Sequence, residues 1–411
     1  MLAEVGYIKP KFDLVQVAAQ VLRHAAEGEP GGGWARMDAV SASARFIVVG
    51  GGVVAASVAY HLARRGASVI IVEGGQRGAA TSAGAGIICP WTAPLDDACY
   101  QLCAEGAAYY PGLLAMLAED GQTDSGYARV GALCVASPAQ ALQRLAALLE
   151  SRRTSTPVIG EVTALAPGEP ARMFPPLAPG LAGVWIGGGA RVDGRAIRDC
   201  LLRAAVARGA RRLPGTATLA RAAGQVTGVT VGPDRIGADT VVVAAGAWTA
   251  GICAQLGIRL PVGPQRGQIV HARLPRTDTA GWPVVLSDQD PYLVAFPAGR
   301  IVLGATREQA GFAYHTTVGG VGGLLAGAAG LAPGLREAEL LETRIGFRPV
   351  TSDGHPLLGP LADSLIVATG HGAEGLTAGP WSGLAVAQLA LGEEPATDLA
   401  PFSPYRFQSK E

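Results

Sequence analysis

The most constraining feature of this sequence is a glycine-rich turn, GGGVVA, at residues 50–55. The β-branched run before it predicts a buried strand over residues 45–50, and apolar residues at helical spacing after it predict a helix over 53–65. The run SVIIVE at residues 68–73 predicts a second buried strand. Strand, turn, helix and strand in this order predict a β-α-β unit with parallel strands.

The turn has the pattern GxGxxA, which is typical of dinucleotide binding. Gly50 allows the tight turn, and Gly52 lets the backbone approach a pyrophosphate. The helix N-terminus, at Val53 and Val54, presents backbone amides to the phosphates. Glu73 ends the second strand, where its carboxylate can accept hydrogen bonds from both ribose hydroxyls. These five residues are therefore predicted to bind a dinucleotide.

NAD and FAD are both bound by this pattern, and the segment after Glu73 favours FAD. The segment TSAGAGIICP, residues 81–90, is rich in small residues, which let backbone approach a flat ring and the rest of the pyrophosphate. The predicted cofactor contacts in this segment are Thr81, Ser82, Ala85, Gly86 and Ile87.

The composition excludes several classes of protein. The chain is 49% hydrophobic and 16% charged, which excludes a disordered chain. Its 33 basic and 33 acidic residues give no net charge, so no nucleic-acid partner is expected. The uncharged stretches 316–335 and 375–392 contain glycine and proline, and we expect both to be buried segments of a soluble protein, with no transmembrane segment.

Cysteine and histidine spacing gives no metal pattern, so no metal is predicted. The six cysteines form no CxxC motif and are expected to be buried free thiols. Free thiols indicate a reducing compartment, and the N-terminus lacks the apolar run of a signal peptide. We therefore expect a cytoplasmic protein.

Six blocks in order resemble the D-amino-acid oxidase family of flavoproteins, which includes glycine oxidase and sarcosine oxidase. They are RFIVVGGGVVAASVAYHLARRG, SVIIVE, TSAGAGIICP, VVVAAGAWT, GFRPVTSDGHPLLGP and VATGHGAEGLTAGPWSGLAVAQL. The resemblance covers residues 45 to about 407. It implies FAD as the cofactor, a small amino-acid substrate, and dioxygen or another electron acceptor. No cysteine matches the covalent flavin attachment of sarcosine oxidases, so noncovalent FAD is expected.

The resemblance also implies roles for two residues, which are the predicted catalytic pair. Arg348, in the block GFRPVTSDGHPLLG, matches the arginine that holds the substrate carboxylate. Its planar fork suits bidentate carboxylate binding, and a structural ion pair is the alternative. Tyr292 falls where the family often places a pocket tyrosine, and packing within a sheet is its alternative.

The block GHGAEGLTAGP, residues 370–380, matches the loop that wraps the flavin ring. Ala373 and Glu374 stand where glycine oxidase usually carries an Arg-Asn pair, which leaves the branch and the electron acceptor open. The remaining predicted FAD contacts are Thr218, Gly246, Trp248, Gly370, Gly372, Ala373, Gly375, Leu376 and Thr377.

The predicted fold class is α/β with an α+β second domain. A Rossmann-like FAD-binding domain (residues 45–93, 188–257 and 344–397) is interleaved with an antiparallel-sheet substrate domain (94–187 and 258–343). Residues 1–44 are predicted to be an N-terminal tail and residues 398–411 a C-terminal segment. Whether the protein forms a homo-oligomer is left open.

The predicted reaction is oxidative deamination of glycine or small D-amino acids by hydride transfer to flavin, giving a 2-oxo acid and ammonia. One alternative is a sarcosine-type oxidase of N-methyl or secondary-amine amino acids on the same fold. A non-catalytic electron-transfer flavoprotein and a nicotinamide dehydrogenase are the alternatives from other classes.

Overall fold

The computed structural model describes residues 45–136, 140–287 and 291–407. The predicted tail, residues 1–44, lies outside the described residues, as do residues 408–411. The α-helices, in chain order α1 to α9, are Val53–Arg64, Ala80–Ala83, Asp97–Glu119, Gln140–Arg153, Glu169–Met173, Gly194–Ala207, Thr249–Ala254, Val318–Leu331 and Gly375–Ala390.

The strands, in chain order β1 to β19, are Arg45–Val49, Ser68–Glu73, Ile87–Ile88, Ala132–Ala136, Val162–Leu165, Ala182–Ile186, Ala190–Arg191, Arg211–Pro214, Ala217–Ala222, Gln225–Val231, Asp234–Gly237, Thr240–Val243, Val262–Arg273, Val284–Ser287, Tyr292–Ala295, Arg300–Gly304, Glu339–Thr351, Leu357–Ala362 and Leu365–Thr369. They form sheets of six, three, eight and two strands.

The six-stranded sheet carries the β-α-β unit that the sequence predicts, which is confirmed. Its strand order is β18-β19-β12-β1-β2-β8, and every pairing is parallel except β18 with β19. Four of the five residues of β1, all but Arg45, are buried, as expected for a strand with helices covering its sheet. The strand order places the ends of β1, β2, β12 and β19 side by side.

Three helices, α1, α6 and α9, pack together beside this sheet, and α9 also contacts α3. Close approach of α1 and α9 depends on Gly383, because a Cβ there would lie 2.4 Å from Cβ of Ser57. The Ser57 hydroxyl donates a hydrogen bond to the Pro380 carbonyl oxygen at 2.7 Å. This contact fixes the start of α9 close to the start of α1, where the predicted cofactor contacts lie.

The eight-stranded sheet has the order β17-β13-β16-β15-β14-β4-β6-β5. All its pairings are antiparallel except β14 with β4, so the antiparallel second sheet predicted from the sequence is present. Strands β13 and β17 pair along almost their whole length, from Val262 with Thr351 to Arg273 with Glu339. The mixed α/β fold class is therefore confirmed.

The chain passes repeatedly between the two larger sheets, and two elements cross the predicted domain division. Strand β17 pairs along its whole length within the eight-stranded sheet, although a predicted boundary falls between residues 343 and 344. Helix α3, from the predicted substrate segment, packs on α9, where the Tyr110 hydroxyl donates to the Leu376 carbonyl oxygen at 2.5 Å. The division into two domains stays a prediction.

The expectation that residues 316–335 are buried is wrong. Helix α8 contacts β13 and β16 with one side, and within it Leu324 and Ala328 are the buried residues. Val318 is 94% exposed. The physical reason is that a helix of glycine and alanine lying on the outside of a sheet has few large side chains to bury.

The second uncharged stretch behaves as expected, because α9 is buried along most of its length. In the described part of the chain, no helix is both long enough and apolar enough to cross a membrane.

Candidate functional site

A cleft of about 790 Å³ lies between the six-stranded and the eight-stranded sheets. Its wall includes the residues that follow four parallel strands, at Gly50 after β1, Glu73 at the end of β2, Ala244 after β12 and His371 after β19. Ligands of open α/β sheets bind at the carboxyl ends of the strands, so this is the expected location for a cofactor.

The GxGxxA turn forms one end of the cleft. Gly50 has a φ of 138°, and a Cβ there would lie 2.3 Å from the Ala244 carbonyl oxygen, so only glycine fits. Helix α1 follows with Gly52 at its N-cap and no side-chain cap, while the backbone N–H of Val53 donates to Thr81 Oγ1 at 3.0 Å. A helix N-terminus open to a cleft is suited to bind a phosphate.

Glu73 stands beside this turn. A Cβ on Gly51 would lie 2.1 Å from Glu73 Oε1, which places the carboxylate against the turn backbone. The carboxylate also accepts a hydrogen bond from Arg212 Nη2 at 2.8 Å. The Arg212 side chain is 50% exposed, so this ion pair contributes little and leaves the carboxylate able to bind a ribose.

The predicted contacts in the segment after Glu73 all lie on the cleft wall: Thr81, Ser82, Ala85, Gly86 and Ile87. Helix α2 contacts β17, where a Cβ on Gly346 would lie 2.9 Å from Ala83 Cβ. Gly86 has a φ of 85°, and a Cβ there would lie 1.8 Å from the Val192 carbonyl oxygen. Small residues therefore hold this segment between the turn and the eight-stranded sheet.

The loop before α9 also lines the cleft, through Gly372, Ala373, Gly375 and Leu376. Helix α9 begins without a side-chain cap on its first backbone amides, and its first residues line the cleft, so the positive end of the helix dipole lies at the cleft. His371 is buried and its Nε2 lies 3.0 Å from Ser382 Oγ. Burial lowers the pKa of His371 to about 4, so it is a neutral, structural histidine at neutral pH.

Three predicted FAD contacts are among the described residues but are not among those that line the cleft. Gly370 holds the turn after β19, with a φ of 85°. The Thr377 hydroxyl donates to the Ile87 carbonyl oxygen at 3.2 Å, which ties α9 to the cofactor segment. Thr218 is exposed on β9 in the three-stranded sheet. Direct contact of these three side chains with FAD stays a prediction.

Gly246 and Trp248, by contrast, line the cleft after β12. The Trp248 indole stacks on Phe312, with ring centroids 5.2 Å apart, and meets Phe347 edge-on at 6.0 Å. Trp248 therefore belongs to an aromatic cluster and also lines the cleft.

Arg348 lies on the cleft wall at the eight-stranded sheet, on β17. Its Nη1 donates to the Thr306 carbonyl oxygen at 3.0 Å. The guanidinium lies against Gly267 of β13, where a Cβ would be 2.7 Å from Nη1. Arg344, on the same strand, is paired with Glu342 at 2.5 Å instead. The structure therefore orients Arg348 toward the cleft and gives Arg344 a structural ion pair.

Tyr292 also lines the cleft, on β15. Its ring lies over Gly304 of the neighbouring strand β16, where a Cβ would be 2.6 Å from the hydroxyl oxygen. Both predicted catalytic side chains thus lie over a glycine of an adjacent strand, and both reach one cleft.

Three charged residues of the cleft wall were not predicted as site residues: Arg198, Arg307 and Glu374. Arg198 lies near Glu73, with its Nη1 4.0 Å from Glu73 Oε1. Burial raises the pKa of the Glu374 carboxyl, an effect that the positive charge of Arg307 and the nearby polar side chain of Thr377 oppose. Glu374 was visible in the sequence as a departure from the Arg-Asn pair of glycine oxidase. Arg307 carries no such signal, because it follows a short strand without a motif.

The cleft fits a flavin dinucleotide. Two uncapped helix N-termini face it, a carboxylate stands at the end of β2, and glycines line it where a Cβ would clash with backbone. Its volume lies within the range of cofactor sites. The residues that would hold FAD are thus those of the turn, the segment after Glu73 and the loop before α9.

Comparison with known proteins agrees with this geometry. An uncharacterized oxidoreductase, YurR, from Bacillus subtilis (strain 168) is 43% identical over 364 residues, covering 87% of this chain and 98% of that protein. The crystal structure of iminodiacetate oxidase (IdaA) from Chelativorans sp. BNC1 is 43% identical with a TM-score of 0.85, covering 88% of this chain and 99% of that one.

Glycine oxidase from Geobacillus kaustophilus matches in structure at 31% identity with a TM-score of 0.78, covering 89% of this chain and 100% of that one. The model of the family described as FAD dependent oxidoreductase, DAO, matches residues 45–389. These matches confirm the predicted family and FAD as the cofactor. The chain belongs to the DAO family of FAD-dependent oxidoreductases.

Proposed function

We propose that the protein oxidises the carbon–nitrogen bond of a small amino acid. The observation that carries the proposal is the Arg348 guanidinium, which is held on the cleft wall by Thr306 and lies on the same wall as Tyr292. Similarity to glycine oxidase and iminodiacetate oxidase supports it, because both names denote enzymes that act on an amine bearing a carboxylate.

In the proposed reaction, Arg348 binds the substrate carboxylate through two parallel N–H···O bonds. The Tyr292 hydroxyl adds a hydrogen bond to the same carboxylate. Together they fix the direction of the C–H bond at the carbon next to nitrogen, and positioning of this kind supplies most of the rate. When bound, FAD supplies the acceptor for the hydride of that C–H bond.

The product of a primary amine is an imine, and water converts it to a 2-oxo acid and ammonia. A secondary amine gives a substituted imine, which water converts to an oxo acid and a primary amine. The reaction needs no strong base when the amine is neutral. The neutral His371 beside the cleft therefore has no role as a base in this proposal. Dioxygen or another acceptor then takes the electrons.

Glycine and small D-amino acids are one candidate substrate class, and Arg307 favours a second. Arg307 lines the cleft and directly follows Thr306, whose carbonyl binds Arg348, so it adds a guanidinium to the part of the wall that holds Arg348. A secondary amine with a carboxylate on each arm, such as iminodiacetate, would place one carboxylate at Arg348 and the other near Arg307. The 43% identity to iminodiacetate oxidase supports this class.

A substrate panel tests the proposal. Glycine, D-alanine, D-proline, sarcosine, iminodiacetate and methylamine are mixed with the protein without oxygen, and bleaching of the yellow flavin absorbance is followed. We expect bleaching with at least one carboxylate-bearing amine and none with methylamine. A protein that no amine bleaches would be an electron-transfer flavoprotein, and the proposal would fail.

An Arg307→Ala variant separates the two substrate classes. Loss of one charge-assisted bond should slow bleaching by iminodiacetate by about tenfold or more. Glycine and sarcosine, which have one carboxylate, should be affected less. An equal effect on both classes would show that Arg307 does not bind a second carboxylate.

We also propose a cytoplasmic location. All six cysteines lie in the described residues and are buried free thiols, as expected in a reducing compartment. Fractionation of cells with an antibody against the protein tests this location.

A further inference from the structure

Asp96, Cys99 and His355 bring three different ligand atoms together outside the catalytic residues. One carboxylate oxygen, one thiol sulfur and one imidazole nitrogen lie within 4.8 Å of one another. Asp96 caps helix α3, since its Oδ1 accepts the Cys99 backbone N–H at 3.0 Å, and its Oδ2 lies 2.5 Å from His355 Nε2. We propose that this cluster binds a zinc ion at the rim of the cleft.

The chemistry of the three side chains selects zinc. Zinc takes sulfur, nitrogen and oxygen ligands in a tetrahedron at roughly 2.0–2.3 Å, with water as a fourth ligand where three protein ligands are present. Ligand atoms of such a tetrahedron are about 3–4 Å apart by that geometry. The present spacing therefore needs only a small side-chain movement, while the thiol proton is released to solvent. A thiolate ligand disfavours magnesium and calcium.

Solvent reaches the cluster, and its sulfur ligand borders a small cavity. The side chains of Asp96 and His355 are 54% and 24% exposed, so solvent reaches them. Cys99 is buried, and its side chain lines a cavity of about 30 Å³ together with Leu95 and Gly354. An ion can thus enter from the solvent side and meet a sulfur ligand that is fixed on a helix.

Zinc at this position would join two parts of the cleft rim. Leu95 and Gly354 both line the cleft, and each directly precedes a proposed ligand. Asp96 and Cys99 lie at the start of α3, and His355 lies in the loop between β17 and β18. The sequence spacing cannot reveal such a site, because Asp96 and His355 are 259 positions apart.

The test is equilibrium dialysis of the FAD-loaded protein against zinc chloride, with metal content measured by mass spectrometry. We expect one zinc per chain, and an affinity at least about tenfold weaker in Cys99→Ser and in His355→Asn. Cys103→Ser is the matched control, because Cys103 lies one helical turn further on, lines the same small cavity and is outside the cluster. It should bind zinc as the parent does.

Thermal unfolding gives a second readout, because a ligand that binds the folded protein raises its melting temperature. Zinc should raise the melting temperature of the parent and of Cys103→Ser by similar amounts. It should raise the melting temperature of Cys99→Ser by less. The proposal is overturned if the parent binds no zinc, or if both cluster variants bind it as tightly as the parent. The FAD content of each variant shows whether it has folded. If Cys99→Ser does not fold, the zinc affinity of His355→Asn decides the test, because His355 is partly exposed.

Discussion

The guanidinium of Arg348 occupies the space that a side chain on Gly267 would need. A Cβ on Gly267 would lie 2.7 Å from Arg348 Nη1 and 2.9 Å from Nη2. The two residues belong to the paired strands β17 and β13, so the position of the guanidinium is set by the sheet itself. A glycine in β13 is thus part of the proposed carboxylate site, although it carries no functional group.

A methyl group at Gly267 should therefore impair catalysis without unfolding the protein. Gly267→Ala displaces the guanidinium, and a displacement of about 1 Å can cost up to ~100-fold in rate. We expect kcat/KM to fall at least about tenfold, with FAD content unchanged. Gly263→Ala on the same strand is the control, because nothing lies within 4 Å of a Cβ there. Equal activity of the two variants would show that the guanidinium position does not matter.

Sequence reasoning predicted the cofactor half of the site in detail, because phosphate binding depends on local features. A strand, a turn and a helix N-terminus are encoded within about twenty consecutive residues around Gly50, and so the β-α-β unit and its glycines could be identified. In the structure, most of the predicted contacts line one cleft.

The substrate half was predicted less completely, because its contacts join distant strands. The support of Arg348 by Gly267 and Thr306 depends on strand pairing, which local spacing does not encode. Arg307 was missed because it follows a short strand that carries no motif. The burial of residues 316–335 was predicted wrongly, because an apolar composition alone does not tell a buried helix from one on a sheet surface.

Removing the carboxylate of Glu73 should weaken FAD binding. A charge-assisted hydrogen bond to a ribose hydroxyl is worth roughly 1.5–3 kcal/mol. Glu73→Ala should therefore raise the Kd of FAD by about 10- to 150-fold, measured by fluorescence titration of the apoprotein.

Arg212→Ala is the control for that measurement, because it removes only the exposed ion pair with Glu73. It should leave the Kd of FAD within about twofold of the parent. If both variants bind FAD as the parent does, Glu73 does not contact the ribose.

FAD should be released when the protein is precipitated with acid. Cys89 and Cys134 both line the cleft, but burial raises the pKa of Cys134 to about 12 and raises that of Cys89 as well. Buried thiols of this kind are poor nucleophiles. All the yellow colour should enter the supernatant, and colour retained in the washed pellet would instead demonstrate a covalent bond.

Stability should fall as the solution becomes acidic, because buried histidines resist protonation. Burial lowers the pKa of His61 to about 3, helped by the charges of Arg65 and Arg64, and its Nε2 lies 2.9 Å from the Tyr109 hydroxyl. Histidine in the unfolded chain has a pKa of about 6.5. Between about pH 6.5 and 3, His61 is therefore protonated in the unfolded state but neutral in the folded state. The free energy of unfolding then falls by up to about 1.4 kcal/mol per pH unit.

A His61→Gln variant isolates this contribution. Urea unfolding at about pH 7 and about pH 5 should show a smaller loss of stability in the variant than in the parent. Part of the loss should remain, because burial also lowers the pKa of His271 and His371, each to about 4. Identical losses in parent and variant would mean that His61 is not held neutral.

The central claim is that Arg348 binds the substrate carboxylate, and the most direct measurement is the rate of anaerobic flavin bleaching in Arg348→Ala. Loss of the bidentate bond leaves a carboxylate unpaired in the cleft and costs about 2–5 kcal/mol. The second-order rate constant should fall by about 30- to several-thousand-fold. Arg348→Lys should recover part of it, since it restores the charge without the fork. FAD content should not change in either variant. Near-parental bleaching rates in Arg348→Ala with every amino acid tested would contradict the account.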